Sequence, residues 1–167
     1  AGWTSQGKVA IDRQNAFKGN RSLLLEQPPE DAEKPCSVTT AAFAGTPGFW
    51  EIALACKSDL KSPDNSFSGV VTLECLDGAG KTVDRIVLAD LYGQKNWQPV
   101  SRRVELAKGV TAARFHVQLN KAFGRFWIDE LSAAYVAAAP KKDNRVDRIL
   151  FATEQVGNLL YPEDKRT

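Results

Sequence analysis

Along most of the chain, apolar and polar side chains either alternate with period two or gather in short apolar blocks, and turn residues separate the blocks. Both patterns belong to strands: alternation marks a strand with one buried face, and a short apolar run marks a strand buried on both. Nine strands are predicted: "KVAIDR" (8–13), "RSLLLEQ" (21–27), "SVTTAAF" (37–43), "FWEIALACKS" (49–58), "SGVVTLECLD" (68–77), "KTVDRIVL" (81–88), "QPVSRRVEL" (98–106), "AARFHVQL" (112–119) and "RFWIDELSAAYV" (125–136). The separators "PPEDAEKP", "GTPG", "KSPDN", "DGAG", "YGQKN" and "AKGV" carry the residues that turn a chain. "DGAG" between two apolar runs predicts a hairpin. Regularly spaced short strands with little helix predict an all-β fold, a β-sandwich or jelly roll of two antiparallel sheets. No internal repeat is visible.

The alternation also sorts side chains by face. In "ARFHVQLN", Phe115, Val117 and Leu119 form one row, and Arg114, His116, Gln118 and Asn120 the other. In "GVVTLECLD", Val71, Leu73 and Cys75 oppose Val70, Thr72 and Glu74; in "FWEIALACK", Trp50, Ile52, Leu54 and Cys56 oppose Glu51, Ala53, Ala55 and Lys57. If the apolar rows pack inward, the polar rows are expected to meet on one outer face. The last strand poses a question of its own. Asp129 and Glu130 sit side by side among Phe126, Trp127, Ile128 and Leu131, so one carboxylate must head toward the more buried side and find a partner.

After Val136 the composition changes. "AAAPKKDN" reads as a linker and "RVDRILFATEQVGNLL" as a short amphipathic helix or extended strap. The expected division is a sandwich over 1–137 and a connector over 138–167 leading to a further domain. The absence of methionine is expected to reflect a processed or trimmed start.

Composition narrows the function. The 167 residues carry 22 basic and 20 acidic side chains, a net charge of +2, and no long basic run, which argues against nucleic acid as the main partner. No apolar stretch approaches the roughly 18 residues of a membrane span. Cys36, Cys56 and Cys75 are an odd number without C-x-x-C spacing, which excludes a zinc ribbon and allows at most one disulfide; Cys56 and Cys75 are expected to be buried and inert. With one histidine, His116, there is no multi-histidine metal centre. No nucleophile elbow, phosphate-cradling loop or dinucleotide fingerprint is present. Glu51, Glu74 and Glu105 lie on predicted strands, but no spacing marks two of them as a glycosidase pair.

Three segments in order carry a resemblance. "GW" (2–3) followed by "AFKGNRSLLLE" (16–26), then "NWQPVSRRVELAKGVTAARFHVQL" (96–119), then "GRFWIDELSAAYV" (124–136), are similar to the opening, middle and closing blocks of galactose-binding-like jelly-roll carbohydrate-binding modules. Such modules are often appended to secreted glycoside hydrolases and polysaccharide lyases. The resemblance covers about residues 2–136. It implies a non-catalytic module that binds a polysaccharide or oligosaccharide on a concave face, linked to a catalytic domain and secreted or periplasmic. A structural module bracing a glycoside hydrolase without touching sugar is the alternative. A jelly-roll polysaccharide lyase or glycosidase comes third.

The resemblance also implies a structural calcium ligated by Asp129, with the backbone carbonyls of Lys18 and Asn20 contributing. Calcium accepts six to eight oxygens in flexible geometry. The alternative is that Asp129 accepts hydrogen bonds from the backbone of that turn. On the implied binding face the expected sugar contacts are Arg114, His116, Gln118, Glu74, Lys57 and Glu51, whose planar donors and acceptors suit hydroxyls. Tyr92 and Trp97 are expected at the rim, where rings could stack on pyranose C–H groups. Trp50 and Trp127 are expected in the core.

Overall fold

The computed structural model describes residues 2–62 and 68–137; the predicted connector lies outside the described residues. Among the described residues, eleven strands build two antiparallel sheets: β1 (Thr4–Gln6), β2 (Lys8–Asp12), β3 (Ser22–Gln27), β4 (Cys36–Thr39), β5 (Phe43–Ala44), β6 (Gly48–Lys61), β7 (Gly69–Leu76), β8 (Thr82–Leu91), β9 (Gln94–Leu106), β10 (Ala112–Leu119) and β11 (Phe123–Ala137). The first sheet runs β1-β4-β10-β7-β8, with β5 also pairing β10, and the second runs β2-β3-β11-β6-β9. The sandwich expected from the alternation is the one observed.

Inward rows from both sheets form one core. Trp50, Ile52, Leu54, Cys56 and Leu60 come from β6, Val71, Leu73 and Cys75 from β7, and Ala113, Phe115, Val117 and Leu119 from β10. Phe126 of β11 is fully buried, with its ring against Gly69. Trp50 joins an aromatic cluster with Phe43 at 5.7 Å and Tyr135 at 5.6 Å between ring centroids. All three cysteines are free and buried among these rows. Burial pushes the Cys56 thiol up to about 12 and, with help from Asp84, the Cys75 thiol up to about 11, so neither offers a thiolate at neutral pH.

The predicted hairpin joins β7 to β8. The Asp77 amide donates to the Lys81 carbonyl at 3.0 Å, and Asp77 Oδ1 accepts from the amides of Ala79 and Lys81 at 2.9 Å each. Two predicted strands change shape. The single strand over 37–43 breaks into β4 and β5. Between them Thr40 turns its hydroxyl onto the Phe115 amide, 3.0 Å away. The strand expected from 98 starts at Gln94, because Lys95 and Gln94 continue the pairing with Ser58 and Asp59 past a bulge.

Candidate functional site

The register of the first sheet aligns its outward side chains into three rows, since directly opposed residues share a face. One row reads Thr4, Thr39, His116, Thr72, Val87; the next reads Gln6, Ser37, Gln118, Val70, Asp90. The third is Arg114, Glu74, Arg85. Four residues expected at a binding face, Arg114, His116, Gln118 and Glu74, therefore stand together on adjacent strands.

Their side chains hold one another. Thr39 Oγ1 lies 2.8 Å from His116 Nδ1, and His116 Nε2 lies 3.1 Å from Gln118 Oε1. In the Nε2–H tautomer the ring donates to Gln118 and accepts from the Thr39 hydroxyl, which fixes the imidazole plane and turns the Gln118 amide. Glu74 is the anchor of the third row. Arg114 Nε donates to its Oε2 at 2.7 Å and Arg85 Nε to its Oε1 at 3.1 Å. The long arginine side chains cover the carboxylate, which is why Glu74 is only 5% exposed although it points outward. Burial pushes its carboxyl up, but the hydrogen bonds from Arg114 and then Arg85 outweigh that, so it sits below the usual carboxylate range. Arg85 lies in the predicted strand "KTVDRIVL", yet nothing in that segment names its partner; the pairing of β7 with β8 does.

The remaining expected contacts do not join this face, and here the expectation of one shared outer face is corrected. Glu51 and Lys57, with Ala53 and Ala55, belong to β6 of the second sheet and point away from the opposite side of the sandwich. Alternation tells which side of its strand a residue takes, not which sheet the strand joins. Glu51 pairs with Arg103 at 2.8 Å. Lys57 fastens the loop after β2: its Nζ donates to Asn15 Oδ1 at 3.0 Å and sits 5.0 Å from the Trp127 ring centroid. Tyr92, in the connection from β8 to β9, is exposed, with Lys95 Nζ 5.6 Å from its ring centroid. Trp97 is half-buried on β9, its ring centroid 5.9 Å from that of Phe17 in the loop over the second sheet. Neither ring stands in the three rows of the first sheet.

That loop, residues 13–21, also answers the question raised by the last strand. Asp129 Oδ2 accepts from the Phe17 amide at 2.8 Å and the Lys18 amide at 3.1 Å, and Oδ1 accepts from the Glu130 amide at 2.7 Å. Lys18 thus gives its N–H to the carboxylate, and Asn20 is exposed. These N–H groups match the alternative given for Asp129, in which the backbone of the turn donates to the carboxylate. Glu130 takes φ 52° at the bulge of β11 and projects toward Lys18 Nζ, 3.4 Å away.

The other end of the loop is tied by Asp12, which no motif or pattern in the sequence marks. Its Oδ1 accepts from the Gln14 amide at 2.7 Å, and its Oδ2 accepts from Trp127 Nε1 at 2.8 Å and Asn15 Nδ2 at 3.0 Å. The Gln14 amide and then the Trp127 indole hold the Asp12 carboxyl down at about 2. A depressed folded-state pKa contributes stability above the ordinary carboxylate value, and that stability is lost as the pH falls from about 4 toward 2. Asp12 is only partly buried, so solvent screening limits the contribution to about 1 kcal/mol. Urea midpoints at pH 6 and pH 2.5 check this. Wild type should lose about 1 kcal/mol more than Asp12→Asn between the two.

No protein-family model matches the chain, and no curated protein sequence matches it. Solved structures do. The enzymatically active domain of tailspike protein 4 from bacteriophage CBA120 is similar at TM-score 0.66 and 14% identity, covering 81% of this chain, which spans only 20% of that one. The C-terminal family 22 carbohydrate-binding module of Clostridium thermocellum Xyn10B is similar at TM-score 0.58 and 18% identity, over 79% of this chain and 85% of that one. A family 16 carbohydrate-binding module is similar at TM-score 0.52 and 11% identity, over 76% and 85%. The chain thus has the fold of these modules.

Proposed function

We propose that this chain is a non-catalytic carbohydrate-binding module that holds a polysaccharide on the outer face of its first sheet. In this reading it serves a secreted or periplasmic polysaccharide-processing enzyme and is linked to the catalytic domain. One observation carries it: Thr39, His116 and Gln118 are fixed by hydrogen bonds to one another and Arg114 by its bond to Glu74, so the donors and acceptors of the face are already held in place. A ligand meeting side chains so held loses little of its binding energy to ordering them. Similarity of fold to modules whose names include a xylan-binding domain supports the same reading. Glu74 fits a supporting role better than a catalytic one, because both its oxygens are taken by guanidinium N–H groups and it has no proton to give.

A second reading, a module that braces a neighbouring catalytic domain, draws on the opposite face. There Ala53, Ser101, Ser132 and Ala134 are small and exposed, and would allow close approach. A glycan array spanning plant, algal and animal polysaccharides separates the two. Binding supports the first reading, and silence across the array gives way to the second.

The fastening at Asp129 needs no calcium in this account, since backbone N–H groups already satisfy the carboxylate. The expected result is the same melting temperature in chelator and in excess calcium. A lower melting temperature in chelator that Asp129→Ala abolishes would restore the metal.

A further inference from the structure

We infer that the glycan recognised by the first sheet is acidic, carrying carboxylate or sulfate groups; the inference rests on the binding reading and names its ligand class. The starting point is the donor count around Glu74. Arg114 and Arg85 each reach its carboxylate through Nε. A guanidinium carries five N–H donors, of which this uses one. Among the described residues, no hydrogen bond engages the Nη groups of either arginine. Both side chains are open to solvent, Arg85 at 67% and Arg114 at 36%. Two cations thus share one buried anion, which leaves a net positive charge and two forks of unspent donors. Carboxylate and sulfate oxygens match such forks with paired, charge-assisted bonds.

The composition of the rest of the face points the same way. Neutral sugars are held largely by stacking their C–H faces on large aromatic rings, yet none of the described residues in the three rows is a phenylalanine, tyrosine or tryptophan. Affinity on this face must come from directional and charged bonds. The one acidic side chain in the rows besides Glu74 is Asp90. It stands two strands from β10 at the sheet edge, in a different row from the two arginines.

Matched polysaccharides test this: polygalacturonate against its methyl ester, dextran sulfate against dextran, and xylan as a neutral reference. Each is titrated against wild type, Arg85→Gln and Arg103→Gln. The last removes the same charge from the opposite face. The expected result is preference for the charged member of at least one pair and about tenfold weaker binding of it by Arg85→Gln. Arg103→Gln should be unchanged, and added salt should weaken the bond. The pair that discriminates identifies carboxylate or sulfate as the group bound. Equal binding of charged and uncharged members, or preference for xylan, overturns the acidic ligand and leaves the glycan reading standing. Equal losses in both variants also overturn it, by showing mere net-charge attraction. Silence on every polysaccharide overturns both.

Discussion

Gly124→Ala should lower the stability of the fold by about 3 kcal/mol. Gly124 has φ +112°, a conformation in which an L side chain is strained, and a Cβ there would run into the Asp59 carbonyl oxygen. The backbone has little room to yield. β11 is paired on both sides, with Gly124 opposite Gln27 of β3 and Leu60 of β6. Relieving the overlap means lengthening hydrogen bonds in the middle of the second sheet. A sandwich of this size should lose roughly 10 °C in melting temperature. Gly19→Ala is the control. Gly19 also has positive φ, at +71°, but a Cβ there would meet nothing within 4 Å. It should cost only the conformational strain, about 1 kcal/mol, and the gap between the two variants isolates the collision.

Arg114→Ala should weaken glycan binding several-fold to about a hundredfold, the range for losing one hydrogen bond to a neutral or charged partner. The substitution removes the more closely held and less exposed fork of the third row, the one whose Nε is 2.7 Å from Glu74. It also leaves Glu74 with a single guanidinium, so stability should fall as well. The side chain is partly exposed, and Arg85 and solvent can compensate, so about 1–2 kcal/mol is expected instead of the full cost of orphaning a buried charge. Titration calorimetry and thermal melts on the same samples separate the two effects. Intact binding beside a lowered melting temperature would make Arg114 a structural residue only.

Much of this site can be read from alternation, and the part that cannot has a definite cause. The spacing of Arg114, His116 and Gln118 puts them on one side of β10 by geometry alone, and the apolar Phe115, Val117 and Leu119 decide which side faces out. That Glu74 lies opposite Arg114, and Arg85 opposite Glu74, depends on strand register, which is set by packing across the sheet. Glu51 and Lys57 alternate just as regularly but sit on the other sheet, so a local pattern places them on the wrong side of the molecule. Trp127 shows a further limit. It points outward from β11 and is nevertheless 4% exposed, because Asp12, Asn15 and Lys57 draw the loop across it. β1, "TSQ", has no apolar residue and no pattern; it forms because the β4 edge offers unpaired backbone groups.

A glycan resting on the outer face of the first sheet should be visible by amide chemical-shift mapping. Titrating labelled protein with the tightest polysaccharide fragment from the array should shift the amides of Thr39, Thr72, Arg114, His116 and Gln118. Those of Glu51, Ala53, Ser101 and Arg103 should stay in place. Shifts confined to β6 and β9, or none at saturating glycan, would contradict the account.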